Sequence, residues 1–227
     1  AKITFGTGGM LDMFVGPGAP SHARRSDNGT FPIVAHTSAH GSHFGVESIM
    51  LSAGTNVEWL RDDMGLISSP AESDTVASGV ATTDGVVYVP ALLGLGTPHW
   101  DYGARGALFG ITRGTTRAHI VRAVLEGIAH RGADLLDAAE ADTGITVPAL
   151  NVDGGMSRNR TFVQALADAC GRPVTVSPVT EATTLGAGIV AGTAVGQWAD
   201  LGEACSRIGG FRSVTPLLPR DTGRSQW

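Results

Sequence analysis

Over the first fifty residues, short apolar segments are separated by glycine-rich polar stretches. Beyond them apolar positions recur at every third or fourth residue, so the chain starts in strands and continues in helices. Residues 3–5 and 10–15 predict two strands joined through Gly6-Thr7-Gly8-Gly9, a hairpin whose glycines supply positive φ. Residues 16–29 are rich in Gly, Pro, Ser and Asn and read as a loop, and 31–35 and 43–50 as two more strands. From Gly54 the period changes: Val57, Leu60, Arg61 and Met64 predict a helix over 55–67, followed by a poorer one over 71–80. An apolar strand over 86–92, a loop over 94–105 and a strand over 107–112 come next. The best helix starts at Thr116, which can cap it. It carries the stripe Ile120, Val124, Ile128 and Leu135, and should run to about 141 before Gly144 stops it. The remainder alternates: strand 149–152, helix 159–170, strand 174–177, then helices over 184–195 and 198–208 and a polar tail from Arg212, expected to be loose. Antiparallel strands followed by β-α-β-α predict the α/β class, with a mixed sheet and helices on both faces.

Composition narrows the function. The chain has 227 residues, enough to bury a sizeable core, and 42% hydrophobic against 16% charged residues, an ordinary globular balance. A formal charge of −5 without a Lys/Arg run leaves no footprint for nucleic acid. Cys170 and Cys205 are the only cysteines. They exclude a disulfide framework and a paired CxxC zinc site and suit a reducing cytoplasm. No apolar run is long enough to span a bilayer, and the longest, 185–195, is broken by glycine. The start shows no signal-peptide pattern and opens directly on a strand, which leads us to expect a piece of something longer. The unusual number is 32 glycines, clustered as tight turns beside a ligand would require.

Three segments are candidates for chemistry. Gly6-Thr7-Gly8-Gly9 can present free backbone N–H groups and the Thr7 hydroxyl to an anion, although taken alone a plain β-turn is the better reading. Asp153-Gly154-Gly155 ends a strand and precedes a helix, the position where α/β sheets bind phosphate or ribose, and Asn159 could bond a base or ribose. On physics alone, function and a simple connection are equally good there. In 94–105, with Trp100, Asp101 and Arg105, an Asp101–Arg105 ion pair pinning the loop is preferred to substrate contact. The seven histidines lack metal-ligand spacing, there is no GxSxG elbow, and Glu126 reads as a buried hydrogen-bonding partner rather than a catalyst.

Taken together, these segments resemble the FGGY carbohydrate kinases over residues 2–201. The hairpin through Gly8, Gly54 with Trp59-Leu60-Arg61-Asp62, Gly106 to Ile111 with His119-Ile120 and Ala123 to Glu126, Asp153-Gly154-Gly155 with Asn159, and Thr184-Leu185-Gly186-Ala187 follow the family's order. Val89-Pro90-Ala91, Gly94 to Asp101 and Ala104-Arg105-Gly106 are most similar to the glycerol kinase branch.

The resemblance implies an actin-like, ribonuclease H-like ATPase domain over 1–210, with 211–227 as a tail and a further N-terminal substrate domain outside this sequence. It implies ATP/ADP and Mg²⁺ as cofactors, a small polyol or sugar as substrate, and transfer of the γ-phosphoryl to a primary hydroxyl, as from glycerol to glycerol 3-phosphate. It leaves a homo-oligomer open. It places Thr7 and Gly8 on the phosphates, Gly54 beside phosphates or ribose, and Gly154, Gly155 and Asn159 on the adenosine. Glu58 stands where the family commonly has a glutamine, and Met10 where these kinases usually carry a phenylalanine beside the polyol. The family's catalytic aspartate lies upstream of this hairpin, so the chain alone is expected to be inactive. A non-catalytic nucleotide-binding or interaction module on an actin-like domain is the alternative.

Overall fold

The computed structural model describes residues 1–38, 41–225 and 227. Strands β1 (Lys2–Phe5), β2 (Gly9–Gly16), β3 (Phe31–Ser38) and β4 (Gly41–Met50) form an antiparallel group. Beside β1 lie β7 (Leu150–Asp153) and β8 (Val174–Val176), both parallel to it in direction, giving one seven-stranded sheet in the order β3-β4-β2-β1-β7-β8-β9. The mixed sheet expected from the strand-first, β-α-β-α order is therefore present.

One face of the sheet carries the core. Ile3, Phe5, Leu11, Met13, Val46 and Met50 are buried beneath helix α3 (Arg117–Thr143) and helix α4 (Arg160–Cys170). Phe5 meets Phe162 edge-to-face at 4.8 Å. At Gly132 α3 packs tightly on β1 and α4: a Cβ there would lie 3.0 Å from the Phe5 ring and 2.9 Å from Leu166. Thr116 and His119 cap α3 reciprocally at its start, and Gly144 ends it in the left-handed conformation at φ 68°. On the opposite face Lys2 Nζ donates to Thr183 Oγ1 at 3.4 Å, bringing the start of α5 (Ala182–Ala194) over the sheet. Helices thus stand on both faces, the second being reached by the start of α5 and left half open.

Three expectations are corrected. The strand over 86–92 is only β5 (Val87–Val89). It pairs with β6 (Ala107–Phe109) in a separate two-stranded ribbon and stops at Pro90, which has no N–H for a ladder. Asp101 and Arg105 do not pair. Asp101 accepts from the backbone N–H of Gly103 and Ala104 at 2.8 and 3.1 Å, while Arg105 donates to the carbonyls of Tyr102 and Ala104. The polar tail is not loose. β9 (Arg212–Val214) covers the outer edge of β8, and α7 (Arg220–Gly223) brings Arg220 to Asp137 at 2.5 Å. Arg224 pairs with Asp134, and Trp227 stacks on His130 at 5.2 Å. Carboxylates along α3 thus hold cations that look merely solvated in the sequence.

Candidate functional site

The hairpin between β1 and β2 is docked on the start of α1 (Gly54–Asp62). Gly54 N–H donates to Gly6 O at 2.9 Å, and Ala53 N–H to Thr7 O at 2.9 Å. The start of α1 is itself fixed from below. Fully buried Asn56 donates to the carbonyls of Ser52 and Ala53 at 2.9 and 3.0 Å, and its Oδ1 accepts from Tyr88 Oη at 2.7 Å. Burial raises the Tyr88 phenol, so it stays a protonated donor.

On the other side of the β1–β7 seam, β7 ends at Asp153 and the chain turns through Gly154 into a single 3₁₀ turn, Gly155–Arg158. Gly154 has φ 88°, and a Cβ on it would lie 2.4 Å from Phe5 O, so glycine is needed for the turn itself. Asn159 then caps α4: its Oδ1 accepts from Phe162 N–H at 2.8 Å and its Nδ2 donates to Ser73 Oγ at 3.0 Å. Ser73 belongs to α2 (Glu72–Ala77), and Asp74 of the same helix accepts from the Thr161 N–H and hydroxyl at 2.8 Å each. Two short links therefore tie α2 to the N-terminus of α4.

Between the two turns lies a cavity of about 600 Å³. Phe5, Gly6, Thr7, Gly54, Val57 and Glu58 line it from the hairpin and α1, Gly155, Met156, Arg158 and Asn159 from the 3₁₀ turn and the cap of α4, and Ser69 to Ala71 with Ser73 and Asp74 from α2 and the residues before it. Of the residues singled out in the sequence, Gly6, Thr7, Gly54, Glu58, Gly155 and Asn159 line this one cavity. Gly8, Gly154 and Met10 do not line it. A Cβ on Gly8 would lie 2.8 Å from Met50 O, which makes that glycine a packing requirement. Met10 sits across from Thr4 on the half-open face of the sheet, 40% exposed.

The glycines fall into two kinds. A Cβ on Gly54 would lie 2.5 Å from Gly6 O, so Gly54, like Gly154, is required by the fold. Gly6 and Gly155 would meet nothing within 4 Å, and no positive φ constrains either. Both expose bare backbone to the cavity, which lets a phosphate or sugar approach closely. Met156, Arg158 and the Ser69 to Ala71 segment were not singled out in the sequence, whereas Gly6 was part of the first candidate turn. The wall residues lie in a stretch without periodicity, and Arg158 lacks a recognisable motif.

Behind the site, Asp153 is 1% exposed, and Lys2 Nζ lies 3.6 Å from its Oδ1. Beside them burial raises Asp12, with Lys2 pulling the other way and the Asp153 charge adding to the rise. Glu126 stays outside the cavity, paired with Arg122 at 2.7 Å, and burial raises its carboxyl despite that partner.

The chain was compared with known proteins. The model of the FGGY family of carbohydrate kinases, C-terminal domain, matches residues 1–195. Glycerol kinase of Bordetella parapertussis is 46% identical over 223 residues, 97% of this chain and 44% of its own length. Glycerol kinase of a Geobacillus species is 41% identical over 221 residues, 97% of this chain and 44% of its own length. Among solved structures, Plasmodium falciparum glycerol kinase with ADP superposes with a TM-score of 0.88 at 32% identity, covering 100% of this chain and 45% of that one. Gluconate kinase from Lactobacillus acidophilus, at 24% identity and a TM-score of 0.77, shares the fold over 95% of this chain and 42% of its own. The chain thus spans less than half the length of the relatives it matches. It belongs to the FGGY family of carbohydrate kinases and carries their C-terminal, actin-like domain.

Proposed function

We propose that this chain is the nucleotide-binding half of an ATP-dependent polyol kinase that moves the γ-phosphoryl of ATP to a primary hydroxyl of glycerol. The observation that carries it is the bare backbone at Gly6 and Gly155, which both line one cavity of about 600 Å³. Phosphoryl transfer relies on positioning and on stabilising charge that develops on the phosphates, and backbone N–H groups in a tight turn do both. In this reading the β- and γ-phosphates lie at Thr7, whose hydroxyl has no recorded partner among the described residues, and the nucleoside runs between α1 and the Gly155 turn.

Among the described residues no group of three or more His, Cys, Asp or Glu converges on a metal position. Mg²⁺ is accordingly assigned to the phosphates and water, where it would neutralise the transferring group. Met10, cross-strand from Thr4 and two residues from Gly8, is assigned to the substrate side of the phosphate turn. The general base and most substrate contacts are assigned to the segment by which the relatives exceed this chain, so this chain alone should not turn over. Two uncrosslinked cysteines fit a cytoplasmic enzyme.

The test is turnover of the full-length polypeptide with MgATP on glycerol, erythritol and pentoses. ATP-dependent phosphorylation of glycerol above the others supports the reading. ADP binding with no turnover on any of them would favour a non-catalytic nucleotide-binding module.

A further inference from the structure

Arg158 ends the 3₁₀ turn that begins at Gly155 and lines the cavity together with Val57 and Glu58. Its guanidinium is held by a neutral group: Nε and Nη2 both donate to Thr180 Oγ1, at 3.2 and 2.7 Å. Thr180 is tied to the same turn, because its carbonyl accepts from Gly154 N–H at 3.0 Å. The arginine is thus fixed relative to Gly155. No carboxylate pairs with it among the described residues, unlike Arg61, Arg117, Arg122, Arg131 and Arg172. An arginine secured along one edge and left without a counter-ion keeps a face and Nη1 available to a ligand.

Position decides which part of a ligand it meets. The open turn assigned to phosphate is at Gly6 and Thr7, while Arg158 immediately precedes Asn159, whose side chain reaches Ser73 of α2. Pro70, Ala71, Val57 and Met156 give the cavity apolar wall there, beside the carboxylates of Glu58 and of Asp74, the latter committed to Thr161. A flat, weakly hydrated cation beside an apolar wall suits a planar π-system better than it suits a phosphate.

Resting on the nucleotide-site reading above, we infer that Arg158 stacks on the nucleobase of the bound nucleotide and selects purine over pyrimidine nucleotides. Thr180 acts through Arg158 as its positioning residue.

The experiment measures dissociation constants of ADP, UDP and inorganic tripolyphosphate by calorimetry on the full-length polypeptide, for wild type, Arg158→Ala, Arg158→Lys and Thr180→Val. Arg158→Ala should weaken ADP by about 5- to 30-fold, the range expected for a base–guanidinium stack, and narrow the ADP/UDP ratio. Tripolyphosphate, which has no base, should bind as before. Arg158→Lys keeps the charge but not the plane, so it should not restore ADP affinity. Thr180→Val, which retains the arginine, should lose part of the ADP affinity. Equal losses for ADP and tripolyphosphate, or rescue by lysine, would mean a phosphate contact and overturn the assignment. Wild type that binds tripolyphosphate but no nucleotide overturns the kinase reading and this assignment with it.

Discussion

Tyr88 donates its phenolic hydroxyl to Asn56 Oδ1 at 2.7 Å, joining the β5–β6 ribbon to the first turn of α1 beneath the β1–β2 hairpin. Both residues are buried, at 2% and 0% exposure, so neither has water as an alternative partner. Tyr88→Phe keeps the ring that stacks on Trp59 at 6.0 Å but leaves Asn56 Oδ1 without a donor. The expected cost is about 1–3 kcal/mol of stability, the penalty for an orphaned buried acceptor. It should appear as a lower urea midpoint at unchanged slope. ADP affinity should fall as well, since Asn56 holds the two carbonyls that precede Gly54.

Gly154 and Gly155 are adjacent in sequence but should respond in opposite ways. Gly154→Ala places a Cβ 2.4 Å from Phe5 O at φ 88° and should destabilise by on the order of 2–4 kcal/mol. Gly155→Leu meets open space, so thermal stability should stay close to wild type while the side chain fills the cavity and nucleotide affinity collapses. Melting curves with and without ADP separate the two. Unchanged ADP stabilisation of Gly155→Leu would remove Gly155 from the site.

How far the sequence reveals this depends on the range of the physics involved. Local periodicity suffices for α3, because its apolar stripe, its Thr116 cap and its Gly144 stop are all near neighbours in the chain. The two candidate glycine turns are visible as motifs, but pattern alone does not say which glycine serves packing and which the ligand. That depends on carbonyls from distant strands, such as Phe5 O against Gly154. Asn159 can be picked out as polar at a helix start. Its commitment to Phe162 N–H and Ser73 Oγ appears only when α2, 86 residues away, is in place. The tail misleads for the same reason: Arg220 and Arg224 look like solvated charge until α3 supplies Asp137 and Asp134. Arg158 stays silent in the sequence because its partner Thr180 lies 22 positions away and forms no motif with it.

The two cysteines should differ sharply towards thiol reagents. Cys170 is buried at the end of α4, and burial pushes its thiol up to about 12, so almost no thiolate exists at neutral pH. Cys205 is exposed on α6 (Leu201–Ser206). Iodoacetamide at neutral pH should add one carbamidomethyl group to the folded chain, at Cys205, and a second only in denaturant. Peptide mass analysis reads this directly. Fast labelling of Cys170 in the folded chain would contradict its packing.

The long loop before β3 hangs on one carboxylate. Asp142, near the end of α3, accepts from Ser26 Oγ, from Asn28 Nδ2 at 2.8 Å and from Thr30 Oγ1 at 2.6 Å. Partial burial alone would raise its pKa, but these donors and the nearby His22 outweigh it and hold the carboxyl below its ordinary value. A depressed carboxylate stabilises the fold fully above the unfolded-state value of about 3.9, and loses that contribution as pH falls through the lower folded-state value. Asp142→Asn cannot titrate. The stability gap between wild type and Asp142→Asn should therefore be widest above about pH 5 and shrink steadily towards about pH 2, because every other acidic group cancels in the difference. Urea midpoints for both proteins at several pH values measure the gap. The same loop carries Gly29, whose carbonyl accepts from Thr97 Oγ1 at 3.0 Å and Trp100 Nε1 at 2.7 Å, so Trp100 fluorescence should report its release in parallel. A gap that stays constant across this range would mean that the Ser26, Asn28 and Thr30 contacts do not favour the ionised form.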